Sequence, residues 1–204
     1  MGVLISFEGI DGSGKSTQIR KTESWLTDEG YSVLVRREPG GTELGEAIRS
    51  ILLDPRWTAM HPRAEYLLYS ASRAQLVEAV VKPHLRTERS VVILDRYMDS
   101  STAYQGGGRE IGAEVIAAIH PFVTGGLVPD LTIYLDLDWA TSQARRAHEQ
   151  PDRLEQNAHD FFDRVRNTYV NISKKFPDRV VRIDASGSVD EVFGRIQRRV
   201  RDKL

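Results

Sequence analysis

The sequence predicts an α/β protein: a doubly wound parallel sheet of about five strands, flanked by helices. Three observations predict it. The apolar runs Val3–Phe7, Val91–Leu94 and Leu131–Leu135 are continuous rather than alternating, as in strands buried on both faces. Segments with helical spacing lie between the runs, so parallel strands must be joined by right-handed crossovers. A glycine-rich turn follows the first run, at the carboxyl end of a strand, where such sheets take ligands.

The elements follow in order. Val3–Phe7 is the first strand. Lys15 to Glu29 is a helix closed by Gly30, and Ser32–Val35 is the second strand. Glu43–Leu53 is a helix stopped by Asp54-Pro55. Pro62 to about Leu85 is a long helical stretch, with Pro62 suited to its first turn. Val91–Leu94 is a bare aliphatic strand. Gly112–Val123 is a helix and Leu131–Leu135 a strand. Ala140–His148 and Glu155–Lys175 are helices on either side of a polar break. Val180–Ile183 is the last strand and Val189 to Val200 the last helix. The break Glu149–Asp152 carries Pro151 between arginine-rich helices, which suggests a short mobile lid over about 145–155 within a single domain spanning 1–204.

Composition narrows the function classes. The chain has 204 residues, enough to bury its own core. Its net charge of −1 argues against a strongly basic nucleic-acid binder or an acidic tail protein. No apolar run is long enough to span a membrane. The absence of cysteine excludes disulfides, thiolate metal sites and a cysteine nucleophile. The histidines lack ligand spacing, so no dedicated metal cage is expected. No secretory signal precedes the first strand, and a cytoplasmic location is the expectation. Met1-Gly2-Val3-Leu4-Ile5-Ser6 fits a myristoylation pattern. A buried strand starting at Val3 leaves no free tail to carry the lipid.

Gly9-Ile10-Asp11-Gly12-Ser13-Gly14-Lys15-Ser16 matches G-x-x-x-x-G-K-[ST] in full, between a strand and a helix. Glycines let backbone N–H groups converge on an anion, and the helix N-terminus favours negative charge. Lys15 is placed to reach the β- and γ-phosphates, and the Ser16 hydroxyl to ligate Mg²⁺. The motif makes the fold a P-loop NTPase type and implies a nucleoside triphosphate with magnesium.

A guanine-nucleotide switch would carry N-K-x-D, and D-x-x-G after the strand Val91–Leu94; the first is absent from the chain and the second from that position. Asp95-Arg96-Tyr97 follows the third strand instead. A carboxylate there can organise Mg²⁺ through water, and the arginine can clamp a second phosphate. Arg37, Arg73 and Arg96 lie near strand ends or on ligand-facing helices, while Arg145, Arg146 and Arg153 flank the expected lid. Phosphoryl transfer depends on positioning and charge neutralisation. A phosphate acceptor is already an anionic nucleophile, so no catalytic triad is needed.

The motifs together resemble the bacterial thymidylate kinase family over nearly the whole chain. They are Phe7 to Thr17, Arg37-Glu38-Pro39-Gly40-Gly41-Thr42, Ser72-Arg73-Ala74-Gln75, Asp95-Arg96-Tyr97, Ser100 to Gly106, Pro129 to Thr132 and Asp152-Arg153-Leu154-Glu155. The resemblance implies transfer of the γ-phosphoryl group of MgATP to dTMP, giving dTDP toward dTTP synthesis and DNA replication. It implies an ATP phosphate site made of Gly9, Ile10, Asp11, Gly12, Ser13, Gly14, Lys15, Ser16 and Thr17. Asp11 corresponds to the P-loop carboxylate facing the acceptor nucleotide. Arg96, with Arg37, corresponds to the dTMP phosphate clamp, and Arg73 to the reader of the pyrimidine carbonyl edge. Ser101 and Gln105 fall at polar nucleotide contacts, and Tyr104 under the sugar, where a ribose 2′-OH would be crowded.

Tyr69, one turn before Arg73, stands where the family usually stacks phenylalanine on thymine. Glu38-Pro39 corresponds to a cis peptide. Ser16 and Asp95 would serve the metal. The P-loop's variable positions carry no basic residue, so transition-state charge would be met from the lid by Arg146 or Arg153. Arg145 would pack near adenine with the loop Asp184-Ala185-Ser186. A homodimer through packed helices is also implied. Thymine exceeds uracil by one methyl, worth about 1–3 kcal/mol. Another pyrimidine monophosphate kinase is therefore the alternative, and a P-loop switch protein a more distant one.

Overall fold

The computed structural model describes residues 2–146, 153–154 and 157–204. Five parallel strands form one sheet: β1 (Val3–Glu8), β2 (Ser32–Arg37), β3 (Ser90–Asp95), β4 (Leu131–Asp136) and β5 (Val180–Asp184). Their spatial order is β2-β3-β1-β4-β5. The chain leaves β1 on one side to build β2 and β3, then crosses to β4 and β5. That reversal makes β1 the switch point, and the crevice opens at its carboxyl end.

Helices cover both faces, as the continuous apolar strands require. Ile5 and Phe7 of β1, with Ile93 and Ile133, pack against α1 (Lys15–Asp28) and α9 (Val189–Arg201). The alternate residues Leu4, Val92 and Leu94 face Leu76, Val77 and Val81 on the other side. Those three lie on α3 (Pro62–Leu76) and a widened π-helical turn at Val77–Val81, which runs into α4 (Lys82–Leu85). Tyr134 and Val180 pack on Phe161, Phe162, Val165 and Tyr169 of α8 (His159–Lys175).

Local chemistry sets the helix starts. In α2 (Glu43–Leu53) the Thr42 hydroxyl accepts from Gly45 N at 3.0 Å. In α9, Ser188 and Glu191 form a reciprocal capping box. Pro62 opens α3, and Gly125 in the left-handed region ends α6 (Ala113–Thr124).

The structure departs from the sequence expectation in a few places. Strand β2 runs on to Arg37, because it pairs with β3 as far as Asp95. Helix α7 spans Trp139–Arg145; its expected end at His148 and most of the expected lid lie outside the described residues. The next helix begins at His159 rather than Glu155, which is also outside them. The largest addition is α5 (Met98–Ser101) with the π-helical stretch Thr102–Gly108. Three successive glycines give that stretch little intrinsic helix preference. They are there for close packing: a Cβ on Gly107 would sit 2.0 Å from Thr168 Oγ1 of α8.

Candidate active site

The P-loop joins β1 to α1 at the switch point. Gly12 has φ +77, and a Cβ there would meet Ser142 O at 2.9 Å and Arg146 Cδ at 3.1 Å. Only glycine fits without displacement. Helix α1 starts from left-handed Gly14, with no side-chain cap and no acidic residue in its first turn. Its first N–H groups are thus left to an anion. Lys15 Nζ donates to the carbonyls of Gly9 and Ile10, both at 3.1 Å. Helix α7 braces the loop from behind: Ser142 Oγ donates to Asp11 O at 2.6 Å. Arg145 ties Gly12 O (3.2 Å) to Ala185 O (3.1 Å).

Opposite the P-loop stands Arg96, just after β3. Its φ of +71 is left-handed, a strained conformation for a side-chain residue. Its own contacts hold it there. Its backbone N–H donates to Phe7 O at 2.9 Å, Nη1 to Gly9 O at 2.9 Å and Nη2 to Asp11 Oδ1 at 2.8 Å. The guanidinium lies over the Tyr104 ring, 5.1 Å from its centroid. Burial alone would raise the Asp11 carboxyl, but Arg96 and Lys15 hold it well below the usual range. Burial lowers the Lys15 amine, and Arg96 adds to that.

Beneath Arg96 lies Glu8, fully buried at the end of β1. Its carboxylate accepts from Tyr97 N at 2.8 Å, Tyr169 Oη at 2.9 Å and Ser100 Oγ. Burial and the neighbouring Asp99 push Glu8 up to about 7. Asp95 borders the same crevice as Ser16, and its Oδ1 is buried without a hydrogen-bond partner. A carboxylate oxygen left bare beside a P-loop serine fits a hydrated divalent cation.

A cavity opens beside this crevice, and Asp11 and Arg96 border both. Its wall includes Tyr69, Arg73, Ser101, Tyr104 and Gln105. Arg73 is 1% exposed, yet its guanidinium is fully directed. It donates to Glu38 Oε2 (2.7 Å), Ser101 Oγ (2.9 Å) and Tyr97 O (3.0 Å), leaving two of its five N–H groups. Burial pushes Glu38 up in spite of this ion pair. The Glu38–Pro39 peptide is cis.

Comparison with known proteins identifies the arrangement. The family model described as thymidylate kinase matches residues 7–196. This chain belongs to the thymidylate kinase family. A thymidylate kinase of Thermoanaerobacter sp. (strain X514) is 47% identical over 183 residues, covering 90% of this chain and 89% of the relative. One from Clavibacter michiganensis subsp. michiganensis is 46% identical over 200 residues, covering 97% and 94%. The crystal structure of thymidylate kinase from Ehrlichia chaffeensis is 30% identical with a TM-score of 0.81, covering 98% of both chains.

Within this thymidylate kinase fold, most residues singled out from the sequence converge. Arg37 sits at the crevice, exposed and paired with Glu46 at 2.9 Å. Arg146 packs against Gly12, and its charge helps lower Asp11. Arg153 is not brought to the P-loop. It is 6% exposed, donating to Leu52 O and to Glu65 Oε2, both at 2.7 Å. The reason is Glu65, a wholly buried carboxylate that needs a cation.

Three side chains here escaped the sequence reading. Arg49 of α2 borders both crevice and cavity and donates to Pro39 O at 3.1 Å. Glu8 and Glu65 organise the site from below and beside. An arginine on an amphipathic helix reads as a surface charge, and nothing in the sequence marks it otherwise. Glu8 is the exception: a carboxylate set directly between the apolar run Val3–Phe7 and Gly9 is itself a signal of a buried partner. At the start of α8 the exposed His159, Asp160 and Asp163 bring their ligand atoms within 4.8 Å, a grouping that histidine spacing did not suggest.

Proposed function

We propose that this phosphotransferase moves the γ-phosphoryl group of ATP to dTMP, giving ADP and dTDP. One observation carries the assignment to two phosphate-bearing substrates: the P-loop and Arg96 face a single crevice that adjoins a cavity walled by Arg73 and Tyr69. In this scheme the P-loop N–H groups and Lys15 hold the donor phosphates. Arg96, steadied by Asp11, holds the acceptor phosphate, with Arg49 and Arg37 at the same crevice. An acceptor phosphate oxygen bonds to Pγ while the bond from Pγ to the bridging oxygen breaks, and ADP leaves. No general base is required. Arg146, packed on Gly12, meets the charge on the transferring group. Mg²⁺, when bound to the donor phosphates, supplies further charge neutralisation, and Ser16 and Asp95 are the residues that fit it.

In the cavity, Arg73 has N–H groups to spare for a pyrimidine carbonyl, and Tyr69 offers a ring to stack on the base. Tyr104 lies where the sugar would pass. Arg145, joining Gly12 to Ala185, stands beside the route for the adenine. Leu67, Val115 and Phe122 on α3 and α6 are exposed apolar side chains, Phe122 at 89%, and support a homodimer through these helices. No helix among the described residues is long and apolar enough to cross a membrane, in keeping with a cytoplasmic enzyme.

The test is a coupled ADP-release assay with MgATP and, in parallel, dTMP, dUMP, dCMP, UMP, AMP or no acceptor. Turnover with dTMP well above the rest is expected. A faster reaction with another pyrimidine monophosphate would reassign the substrate, and equal rates without acceptor would make the protein a simple NTPase. Light scattering at micromolar concentration should report twice the chain mass; a monomer would overturn the dimer.

A further inference from the structure

Glu65 of α3 is 0% exposed and lies outside the phosphate machinery. It collects donors from three directions. Oε1 accepts from Gln105 Nε2 at 2.9 Å and Arg109 Nε at 3.2 Å. Oε2 accepts from Arg109 Nη2 at 3.1 Å and Arg153 Nη2 at 2.7 Å. Both guanidiniums are themselves anchored: Arg109 Nη1 to Asn157 Oδ1 at 2.8 Å, Arg153 Nε to Leu52 O at 2.7 Å. The carboxylate is therefore held by two cations and cannot rotate away from Gln105.

The consequence lies in the Gln105 amide. An amide has a donor branch and an acceptor branch, and unrestrained it can present either. An ionised carboxylate only accepts, so Glu65 compels the nitrogen branch to face it. The carbonyl branch then accepts no hydrogen bond from any described residue, while Gln105 remains part of the cavity wall. The acceptor the cavity gains is a carbonyl oxygen. Thymine presents a donor at N3–H beside an acceptor at O4. Cytosine presents an acceptor at N3 beside the N4 amino donor. A carbonyl in the same cavity wall as the donor-only Arg73 matches the first pattern and opposes the second at both positions.

We infer that Glu65 is a positioning residue for base selection: it locks the Gln105 amide so that its carbonyl reads the pyrimidine edge and favours thymine over cytosine. This rests on the dTMP assignment above, and it adds the residue that orders the reader.

The experiment measures kcat and KM for dTMP and dCMP, with thermal unfolding, for the wild-type protein, E65Q, E65D, Q105A and E65Q/Q105A. E65Q replaces an acceptor-only partner with one that tolerates either amide orientation. E65D keeps the charge and withdraws it from Gln105 by one methylene. In both, the dTMP-to-dCMP ratio of kcat/KM should fall by about tenfold or more. Saturated turnover of dTMP should stay within about threefold. In the Q105A background E65Q should lower the ratio no further, because Glu65 acts through Gln105. Folded E65Q and E65D with the wild-type ratio, or an additive double variant, would overturn the inference. A readout free of substitution is hydrogen exchange of the Gln105 side-chain amide in wild-type protein. It should be slowed before dTMP is added; protection arising only on dTMP binding would overturn the inference. Failure of the dTMP assignment itself shows separately, as wild-type protein that does not turn over dTMP.

Discussion

Arg146 and Arg153 both belong to the arginine-rich stretch expected to supply charge to the reaction, and the structure places them apart, Arg146 against Gly12 and Arg153 on Glu65. Replacing Arg153 by alanine removes a guanidinium 2.7 Å from a carboxylate that is 0% exposed, and strips Leu52 O of its donor. Breaking a buried pair of this kind costs about 3–5 kcal/mol. Arg109 still reaches Glu65 at 3.1 Å, which places the loss at the lower end. For a chain of this length, about 3 kcal/mol corresponds to a Tm lower by about 6–12 °C. Turnover at saturating substrates should fall less than about tenfold. Arg146→Ala should do the reverse. An arginine that meets a transferring phosphoryl group is worth about 10³–10⁵ in rate, or about 4–7 kcal/mol of barrier. Its side chain is half-buried against Gly12, so Tm should move by about 2 °C or less. The assay pairs coupled ADP release at saturating ATP and dTMP with calorimetry of each variant. A large kcat loss in R153A with unchanged Tm, or an R146A enzyme at full speed, would refute the division of roles.

Three further outcomes follow from single contacts. Glu8 has its folded pKa raised from 4.5 to about 7, so its contribution to stability is fully present below about 4.5 and lost as pH rises through about 7. The loss is about 3 kcal/mol; Glu8→Gln should flatten that part of a denaturation-versus-pH curve, and an unchanged slope would exclude Glu8 as its source. Arg73→Met should destabilise by about 3–5 kcal/mol by leaving Glu38 buried and unpaired, and urea unfolding of E38Q/R73M should recover most of it. Asp95→Asn should raise the Mg²⁺ concentration for half-maximal rate by about 10–100-fold, read by titrating the metal at fixed ATP.

The strands and the P-loop were legible because their causes are local. Val3–Phe7 can only be a strand buried on both faces, and the glycines after it can only turn. Helices α1, α2 and α9 announce their ends through Gly14, Thr42 and Ser188. The stretch Met98–Gly108 was not legible as a helix. Its glycines oppose helix formation locally, and only contact with α8 makes their lack of side chains an advantage.

Among the site residues, the sequence by itself marked which groups to look for: a P-loop, Asp95 and Arg96 at the end of β3, and a set of further arginines. It could not determine which arginine serves which anion. Arginine side chains are long and flexible, and the carboxylate that claims each one comes from distant chain. Glu65 takes Arg153 across 88 positions, Glu38 takes Arg73 across 35, and Asp11 takes Arg96 across 85. Such pairings arise when the sheet and its covering helices close. A charge removed from water must then find its counter-charge or pay several kcal/mol, and that demand, visible only in the folded chain, assigns each arginine its place.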